Sequence, residues 1–202
     1  MSSQNRKYAL KVRAQKQAET RRRIVEATSA LHEEVGPART TVAEIARRAG
    51  VQRLTVYNNF PDEVELIAAC GDHWLAANPL PDPAVAFAIE NPAERLRALL
   101  GSLYLWYRKT ARANENLHRD RLVMPALDTV MKTRMDHQFT NLTDRLAAGF
   151  NPVAGSAKGL RAAVALALDF WTWRRLAGEG MSDEDAAALM VGAVTAVNLD
   201  QW

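Results

Sequence analysis

The sequence predicts an all-α fold, in which an N-terminal three-helix domain precedes a larger helical domain. Apolar residues recur every three or four positions along most of the 202-residue chain, as they do in amphipathic helices. Residues that favour helix starts and ends separate these segments. The boundary between the domains is marked by the run Asn78-Pro79-Leu80-Pro81-Asp82-Pro83, because its three prolines cannot continue a helix.

The first helix is predicted to run from about Ala18 to Val35. Gly36 and Pro37 end it, since glycine adopts the left-handed conformation after a helix and proline cannot extend one. The residues expected on its inward face are Ile24, Ala27, Thr28 and Leu31.

Residues 40–60 are predicted to form two short helices joined by a three-residue turn. Thr41 lies three residues before Glu44, a spacing that caps the start of a helix at Val42. Gly50 ends this helix and begins the turn that continues through Gln52. The second short helix should extend from Arg53 to Asn58 or Asn59, which completes a helix-turn-helix motif over residues 41–60.

The outer face of the second short helix is suited to DNA. Glutamine, arginine and asparagine present paired hydrogen-bonding groups to base edges, and leucine can pack on a thymine methyl group. Threonine and tyrosine hydroxyls can bond phosphate oxygens. Thr41 and Arg48 are further candidates for contacts to the DNA backbone. The residues expected to face outward are Gln52, Arg53, Leu54, Thr55, Tyr57 and Asn58.

The segment from Thr20 to Leu66 resembles the N-terminal domain of the tetracycline-repressor (TetR) family of transcriptional regulators. The family commonly has a histidine where this chain has Asn59, so the resemblance implies a phosphate contact there. Two residues depart from the family pattern: Leu54 replaces a small residue, and Glu63 replaces a lysine that contacts phosphate. The residues that carry the resemblance are Thr20-Arg21, Ile24, Ala27, Gly36, Thr40-Thr41, Ile45-Ala46, Ala49-Gly50-Val51, Thr55, Val56-Tyr57, Phe60 and Leu66.

Helices are also predicted along the rest of the chain. Asp62 with Glu65, and Asn91 with Pro92 and Glu94, are strong helix starts. The apolar periodicity predicts helices from Asp62 to about Ala77, from Asn91 onward, briefly over 117–124, from Pro125 to about Ala148, from Ala157 to about Ala177, and from Ser182 to about Leu199, with a loop over 149–156.

The charge of the chain is divided unequally. Residues 1–60 carry 12 Lys/Arg and 5 Asp/Glu, whereas residues 61–202 carry 14 and 18, so that net charges of +7 and −4 give the overall +3. A basic front half favours binding to a polyanion. The basic extension over residues 1–17 has two interpretations: a solvated disordered tail, or an arm that follows the DNA backbone or enters the minor groove.

Composition excludes several other classes of protein. The single Cys70 rules out an intrachain disulfide and favours a reducing cytosol. An apolar run near 18 residues and a secretory N-terminus are both lacking, so we expect a cytoplasmic protein without membrane association. His73, His118 and His137 lack metal-ligand spacing, and we expect neither a metal nor a cofactor.

An enzyme is a remote alternative, because the sequence contains no nucleophile elbow, no HExxH zinc motif and no phosphate-binding loop. A second alternative is an interaction protein whose helix-turn-helix has lost DNA affinity. The basic front half argues against it.

The resemblance implies a homodimer, in which the last two helices of each subunit form the interface. The apolar character of these helices on more than one face agrees with a partner chain, although Phe170, Trp171 and Trp173 could instead fill the core of a monomer. The interface candidates are Leu168, Trp173, Leu189 and Val194.

The resemblance also implies a ligand pocket in a regulatory and dimerisation domain over residues 79–202, beside the DNA-binding domain over 18–78. A small lipophilic or aromatic effector would release a repressor from a palindromic operator. An activator or a ligand-independent regulator is the alternative. The pocket candidates, which could equally be ordinary core residues, are Leu103, Trp106, Tyr107, Met135, Phe139 and Trp171.

Overall fold

A computed structural model of the chain describes residues 3–152 and 155–199. These residues form helices and short connections, and none of them forms a strand, so the predicted all-α fold is confirmed. Contacts divide the chain into two compact units, Met1–Asn78 with Glu115–Val130, and Pro79–Asn114 with Met131–Trp202. The first unit thus includes residues 115–130, which the predicted boundary between 78 and 79 places in the C-terminal domain.

The first unit begins with a helix much longer than expected. It starts at Ser3 rather than near Ala18, because residues 3–17 contain no glycine or proline and many good helix formers. The helices of this unit are α1 (Ser3–Glu34), a 3₁₀ turn (Pro37–Arg39), α2 (Val42–Ala49), α3 (Arg53–Asn59), α4 (Glu63–Ala77), the last residues of α6 (Pro92–Asp120) and α7 (Pro125–Met131).

One apolar core holds α1 to α4 together. The four residues predicted to face inward from α1 are all buried, as are Val56 and Phe60 of α3. Val51, in the turn before α3, packs against this core. The members of the core are Ile24, Val25, Ala27, Leu31, Ile45, Ala46, Ala49, Val56, Phe60, Leu66 and Cys70.

Hydrogen bonds join the end of α6 to the end of α1 and to the 3₁₀ turn that follows it. The buried Asp120 carboxylate accepts from the Ala38 backbone N–H at 3.0 Å, and Asn116 donates to the Glu33 carbonyl at 3.0 Å. Gly36 has φ +97°, and a Cβ there would lie 2.4 Å from Asp120 Oδ2, so only glycine fits. The brief separate helix predicted over 117–124 is wrong, because Leu117 to Asp120 form the last turn of α6.

The second unit contains the remaining helices. The predicted helix from Pro125 to about Ala148 exists, but a five-residue π-helical segment interrupts it. Asp82 caps a short α5 that the sequence analysis missed, accepting from the Ala84 N–H at 2.9 Å. The elements here are α5 (Pro83–Phe87), most of α6, the π segment (Lys132–Asp136), α8 (His137–Gly149), α9 (Ala157–Leu168), α10 (Phe170–Gly178) and α11 (Asp183–Leu199).

A break at Asp169 divides the single helix predicted over 157–177. Asp169 is extended, with φ −73° and ψ 135°, and its carboxylate caps α10 by accepting from the Thr172 N–H at 2.9 Å. The break leaves carbonyls of α9 without helical partners. Buried phenols replace those partners: the Tyr104 hydroxyl donates to the Ala167 carbonyl at 2.8 Å, and the Tyr107 hydroxyl to the Leu168 carbonyl at 2.7 Å.

Each helix within the described residues is too short or too polar to cross a membrane.

His32 should make the first unit sensitive to acid. Burial lowers its pKa from 6.5 to about 4, although the Asp120 carboxylate opposes the shift. Because the folded state disfavours the protonated ring, the unfolded chain binds more protons between these two values, and stability falls as pH drops through 6.5. Lowering the pH from 7.5 to 5 should reduce the free energy of unfolding of both proteins. The reduction should be about 1 to 2 kcal/mol smaller for His32→Gln than for the wild type, as measured by native-state hydrogen exchange at the amides of α1.

The matched control is His73→Gln, which changes an exposed histidine on α4. This variant should lose as much stability as the wild type between pH 7.5 and pH 5. Equal acid sensitivity in His32→Gln and the wild type would contradict the assignment.

Candidate nucleic-acid interface and ligand cleft

The helix-turn-helix is built from local capping interactions. Thr41 Oγ1 accepts from the Glu44 N–H at 3.2 Å, as predicted. The Glu44 carboxylate does not complete the reciprocal cap and instead accepts from Arg47 Nε at 3.0 Å. Gly50 is left-handed, with φ 64° and ψ 41°, and the next N–H, that of Val51, bonds to the Ala46 carbonyl at 3.0 Å. These bonds define the tight turn between α2 and α3.

Arg23 of α1 holds the turn from outside the motif. Its Nη2 donates to the Ala49 carbonyl and, at 3.0 Å, to the Gly50 carbonyl. Both carbonyls lie at the end of α2, where the helix itself supplies no donors. A Cβ on Gly50 would lie 2.7 Å from Arg23 Nη2, so the glycine allows both the left-handed backbone and the close approach of the guanidinium.

Arg21 holds the end of α3 in a similar way. Its Nη1 donates to the Asn59 carbonyl at 2.6 Å, and its guanidinium carbon lies 3.9 Å from the centre of the Phe60 ring. Its Nη2 pairs with Glu65 at 2.6 Å. Arg21 therefore connects α1, the end of α3 and the first turn of α4.

The outer face of α3 is available to a ligand. Gln52, Arg53 and Asn58 are exposed, and the side chains of Leu54 and Tyr57 are 64% and 55% exposed. Exposure of apolar and hydroxyl-bearing side chains beside polar ones is what contact with base edges and phosphates requires.

Two candidate contact residues are only half-buried rather than exposed, namely Thr55 and Asn59. The Asn59 amide donates to the Thr55 carbonyl at 2.8 Å, which leaves one amide hydrogen for a phosphate. Thr41 is exposed, and because its oxygen accepts the cap bond, its hydroxyl hydrogen can still be donated.

Arg48 already has a partner within the chain. Its two terminal nitrogens donate to the Glu34 carboxylate at 2.6 and 2.8 Å. To reach a phosphate it must exchange this paired geometry for another one. Among the candidates for DNA contact, Arg48 is the one that the structure places in a competing ion pair.

Sequence reasoning missed the structural role of the arginines at 21 and 23. In the sequence these two residues and Arg22 only add to the positive charge of residues 1–60. Arg22 pairs with Glu19 and Glu26 of its own helix, which the i,i+3 and i,i+4 spacing predicts. Arg21 and Arg23 find their partners 26 to 44 positions along the chain, and nothing in the local sequence indicates such contacts.

The second unit contains a cleft of about 310 Å³, with the Leu80-to-Pro83 segment, α6 and α8 as its walls. Leu103 and Phe139, two of the predicted pocket residues, line it. The other lining residues are Leu80, Pro81, Pro83, Leu99, His137, Gln138, Asn141, Leu142 and Arg145.

The remaining pocket candidates lie elsewhere. Trp106 and Tyr107 are buried, and the ring of Tyr107 lies 5.6 Å from that of Trp106 and 5.3 Å from that of Phe170. Met135 is half-buried in the π segment, and Trp171 is 47% exposed on α10. None of these four residues lines the cleft.

Three of the four interface candidates are enclosed by their own chain. Leu168, Trp173 and Val194 are at most 3% exposed, and Trp173 Nε1 donates to Asp183 at 3.0 Å. Phe170 and Trp173 thus lie in the core of the second unit, whereas Trp171 does not. Leu189 is 50% exposed and is the only one of the four available to a partner.

No cluster of three or more histidine, cysteine or acidic residues in the described part of the chain could hold a metal ion.

Residues 24–70 match a family model described as bacterial regulatory proteins of the tetR family. Over 60 residues the chain is 43% identical to an uncharacterized HTH-type transcriptional regulator of Mycobacterium bovis. This match covers 30% of the chain and only 32% of that relative.

Solved structures share the fold over most of the chain. A TetR-like transcriptional regulator from Rhodococcus sp. RHA1 has a TM-score of 0.62 at 20% identity, covering 90% of this chain and 97% of that one. NalD, the secondary repressor of the MexAB-OprM multidrug efflux pump in Pseudomonas aeruginosa, has a TM-score of 0.57 at 18% identity, with coverages of 93% and 99%.

Removing the Arg23 side chain should loosen the helix-turn-helix. Arg23→Met keeps the aliphatic stem but leaves the carbonyls at the end of α2 without their charged donor. The helix-turn-helix should lose about 1.5 to 3 kcal/mol of stability as a result. Hydrogen exchange over residues 42–60 should become faster by the corresponding factor. Arg22→Met, the control, removes only exposed ion pairs within α1 and should change exchange little. Equal exchange in the two variants would contradict the role of Arg23.

Proposed function

We propose that this chain is a DNA-binding transcriptional regulator of the TetR family, whose family model residues 24–70 match. The observation that carries the proposal is the exposed outer face of α3, held by its capped turn and by two arginines of α1. A helix presented in this way enters the major groove in helix-turn-helix proteins.

The side chains on this face divide into two groups by chemistry. Gln52, Arg53 and Asn58 carry the paired donors and acceptors that distinguish base pairs, and Leu54 offers an apolar contact to a thymine methyl. We assign Thr41, Tyr57 and Asn59 to the phosphate backbone and Thr55 to the groove, with Arg48 as a further backbone contact if its pair with Glu34 opens.

The regulator is proposed to act as a homodimer on a palindromic operator. A single seven-residue recognition helix offers little contact, and two-fold dimers match symmetric half-sites. Helices α9 and α11 expose small apolar residues beside Leu166 and Leu189, which are 57% and 50% exposed. Small residues let helices of two subunits approach closely. The small exposed residues are Ala162, Ala165, Gly192, Ala193 and Ala196.

We further propose that the cleft of the second unit binds a small lipophilic or aromatic effector. Leucine, proline and phenylalanine side chains form much of its wall, and Gln138, Asn141 and Arg145 add polar groups, a composition typical of ligand sites. An effector that favours a DNA-incompetent state would release the dimer from its operator. Repression is the mode described for NalD, and we extend it to this chain; activation or ligand-independent regulation is the alternative.

The DNA-binding proposal is tested by a gel-shift assay on the DNA upstream of the chain's own gene. The wild type should shift a short duplex at nanomolar concentration in physiological salt. Arg53→Ala should cost about 1 to 3 kcal/mol on the preferred sequence and relax sequence preference, whereas Tyr57→Phe should weaken binding to all sequences by a similar factor. If Arg53→Ala changed neither affinity nor preference, the assignment of the recognition face would be wrong.

The dimer proposal is tested by a charge placed on the exposed apolar face. Leu189→Glu with Leu166→Glu should yield monomers in sedimentation at micromolar concentration, because the interface would bury four unpaired carboxylates. Leu122→Glu changes a side chain that is 83% exposed in the first unit and should leave the dimer intact. A monomeric wild type, or a double variant that remains dimeric, counts against the proposed interface.

A further inference from the structure

The first 18 residues of the chain contain five basic residues and no acidic one. The basic residues are Arg6, Lys7, Lys11, Arg13 and Lys16, and the first carboxylate along the chain is that of Glu19. Such a segment repels itself and attracts polyanions.

Residues 3–17 form a helix that continues without a break into the core of the first unit. At 1.5 Å per residue this basic extension spans about 22 Å. The side chains of Lys11, Arg13 and Lys16 are exposed, and Tyr8 and Leu10 are 70% and 60% exposed. Over residues 10–17 the extension is therefore a charged helix whose described side chains lie outside the core.

The basic side chains of α1 that follow Glu19 have partners within the chain, and those described before it do not. Arg21, Arg22 and Arg23 all bind carbonyls or carboxylates of the chain. No ion pair joins Lys11, Arg13 or Lys16 to a carboxylate within 3–152 or 155–199. The charges of these three residues are thus available to a partner, whereas those of Arg21, Arg22 and Arg23 are used internally.

The extension leaves the first unit close to the recognition helix. Arg21, just over one turn beyond the end of the extension, donates to the carbonyl of Asn59, the last residue of α3. A continuous helix holds its direction better than a flexible arm does. DNA bound to α3 therefore lies within reach of the basic side chains that project from this helix.

The distribution of residues around the extension identifies the kind of partner. Helical residues two apart lie on nearly opposite faces, which separates Lys11 from Arg13 and Leu10 from Val12. A helix bound at a membrane surface needs one wide apolar face, and this extension lacks it. Charges on both faces suit the two phosphate strands that border a groove of DNA.

We propose that the basic extension binds, as a preformed helix, the DNA phosphates flanking the half-site contacted by α3. This inference rests on the proposed function. The extension adds affinity and salt dependence without sequence preference, because phosphates carry no base information.

The test measures the salt dependence of binding for the full chain by fluorescence anisotropy. The probes are a duplex from the upstream DNA that the wild type shifts and a scrambled duplex of equal length. A variant with Lys11→Gln, Arg13→Gln and Lys16→Gln should lose about 2 to 3 from the slope of log affinity against log salt for each subunit. The affinities for both duplexes should fall by similar factors.

The matched control removes three positive charges from the second unit through Arg97→Gln, Lys109→Gln and Lys132→Gln, and should keep the wild-type slope. An unchanged slope in the extension variant overturns the inference while the proposed function stands. A wild type that binds neither duplex overturns both. A loss confined to the preferred sequence would identify a base contact and also overturn the phosphate assignment.

The helical form is tested by Ala14→Pro, which keeps every charge but interrupts the helix within the extension, between Arg13 and Lys16. Its slope should fall toward that of the triple variant, and Ala14→Gln should behave as the wild type. Circular dichroism checks that the rest of the fold is kept. A wild-type slope in Ala14→Pro would mean that a flexible arm suffices and would overturn the preformed helix.

Discussion

The backbone carbonyls at the ends of α2 and α3 must be bonded for so short a motif to keep its shape. A three-residue turn leaves no room for further helix, so donors have to come from elsewhere in the chain. Arg23 supplies them to the turn, and Arg21 supplies one to the end of α3. Because both arginines bond backbone carbonyls, the outward side chains of α3 such as Leu54 and Tyr57 remain exposed. The exposed groups proposed to contact DNA depend on this internal fastening.

Local sequence signals predicted the motif well. The cap at Thr41, the left-handed Gly50 and the inward face of α1 follow from short-range rules, and the structure contains all of them. The roles of Arg21 and Arg23 could not be predicted, since an arginine near a helix start carries the same local signal whether it bonds a distant carbonyl or a phosphate. For the same reason, the DNA contacts themselves stay predictions.

The second unit was harder to predict because its last helices are apolar on several faces. Periodicity alone does not tell which face meets the chain's own core, and three interface candidates proved to be buried within it. The break at Asp169 had a local signal, an aspartate three residues before Thr172, but an uninterrupted apolar pattern masked it. Two buried tyrosine hydroxyls donate to the backbone carbonyls that the break leaves without helical partners. Burial raises the pKa of both Tyr104 and Tyr107 well above the usual range, so they remain hydrogen-bond donors at any physiological pH.

The single cysteine of the sequence has a practical consequence. Cys70 lies in the core of the first unit, 3% exposed, with its Sγ 3.8 Å from the Val25 carbonyl oxygen. Burial raises the pKa of the thiol to about 12, an effect that a hydrogen bond with Thr28 only partly offsets. The native chain therefore presents almost no thiolate to alkylating reagents. A cysteine engineered at a surface position would accept a maleimide fluorophore selectively, so energy-transfer measurements need no cysteine-free background.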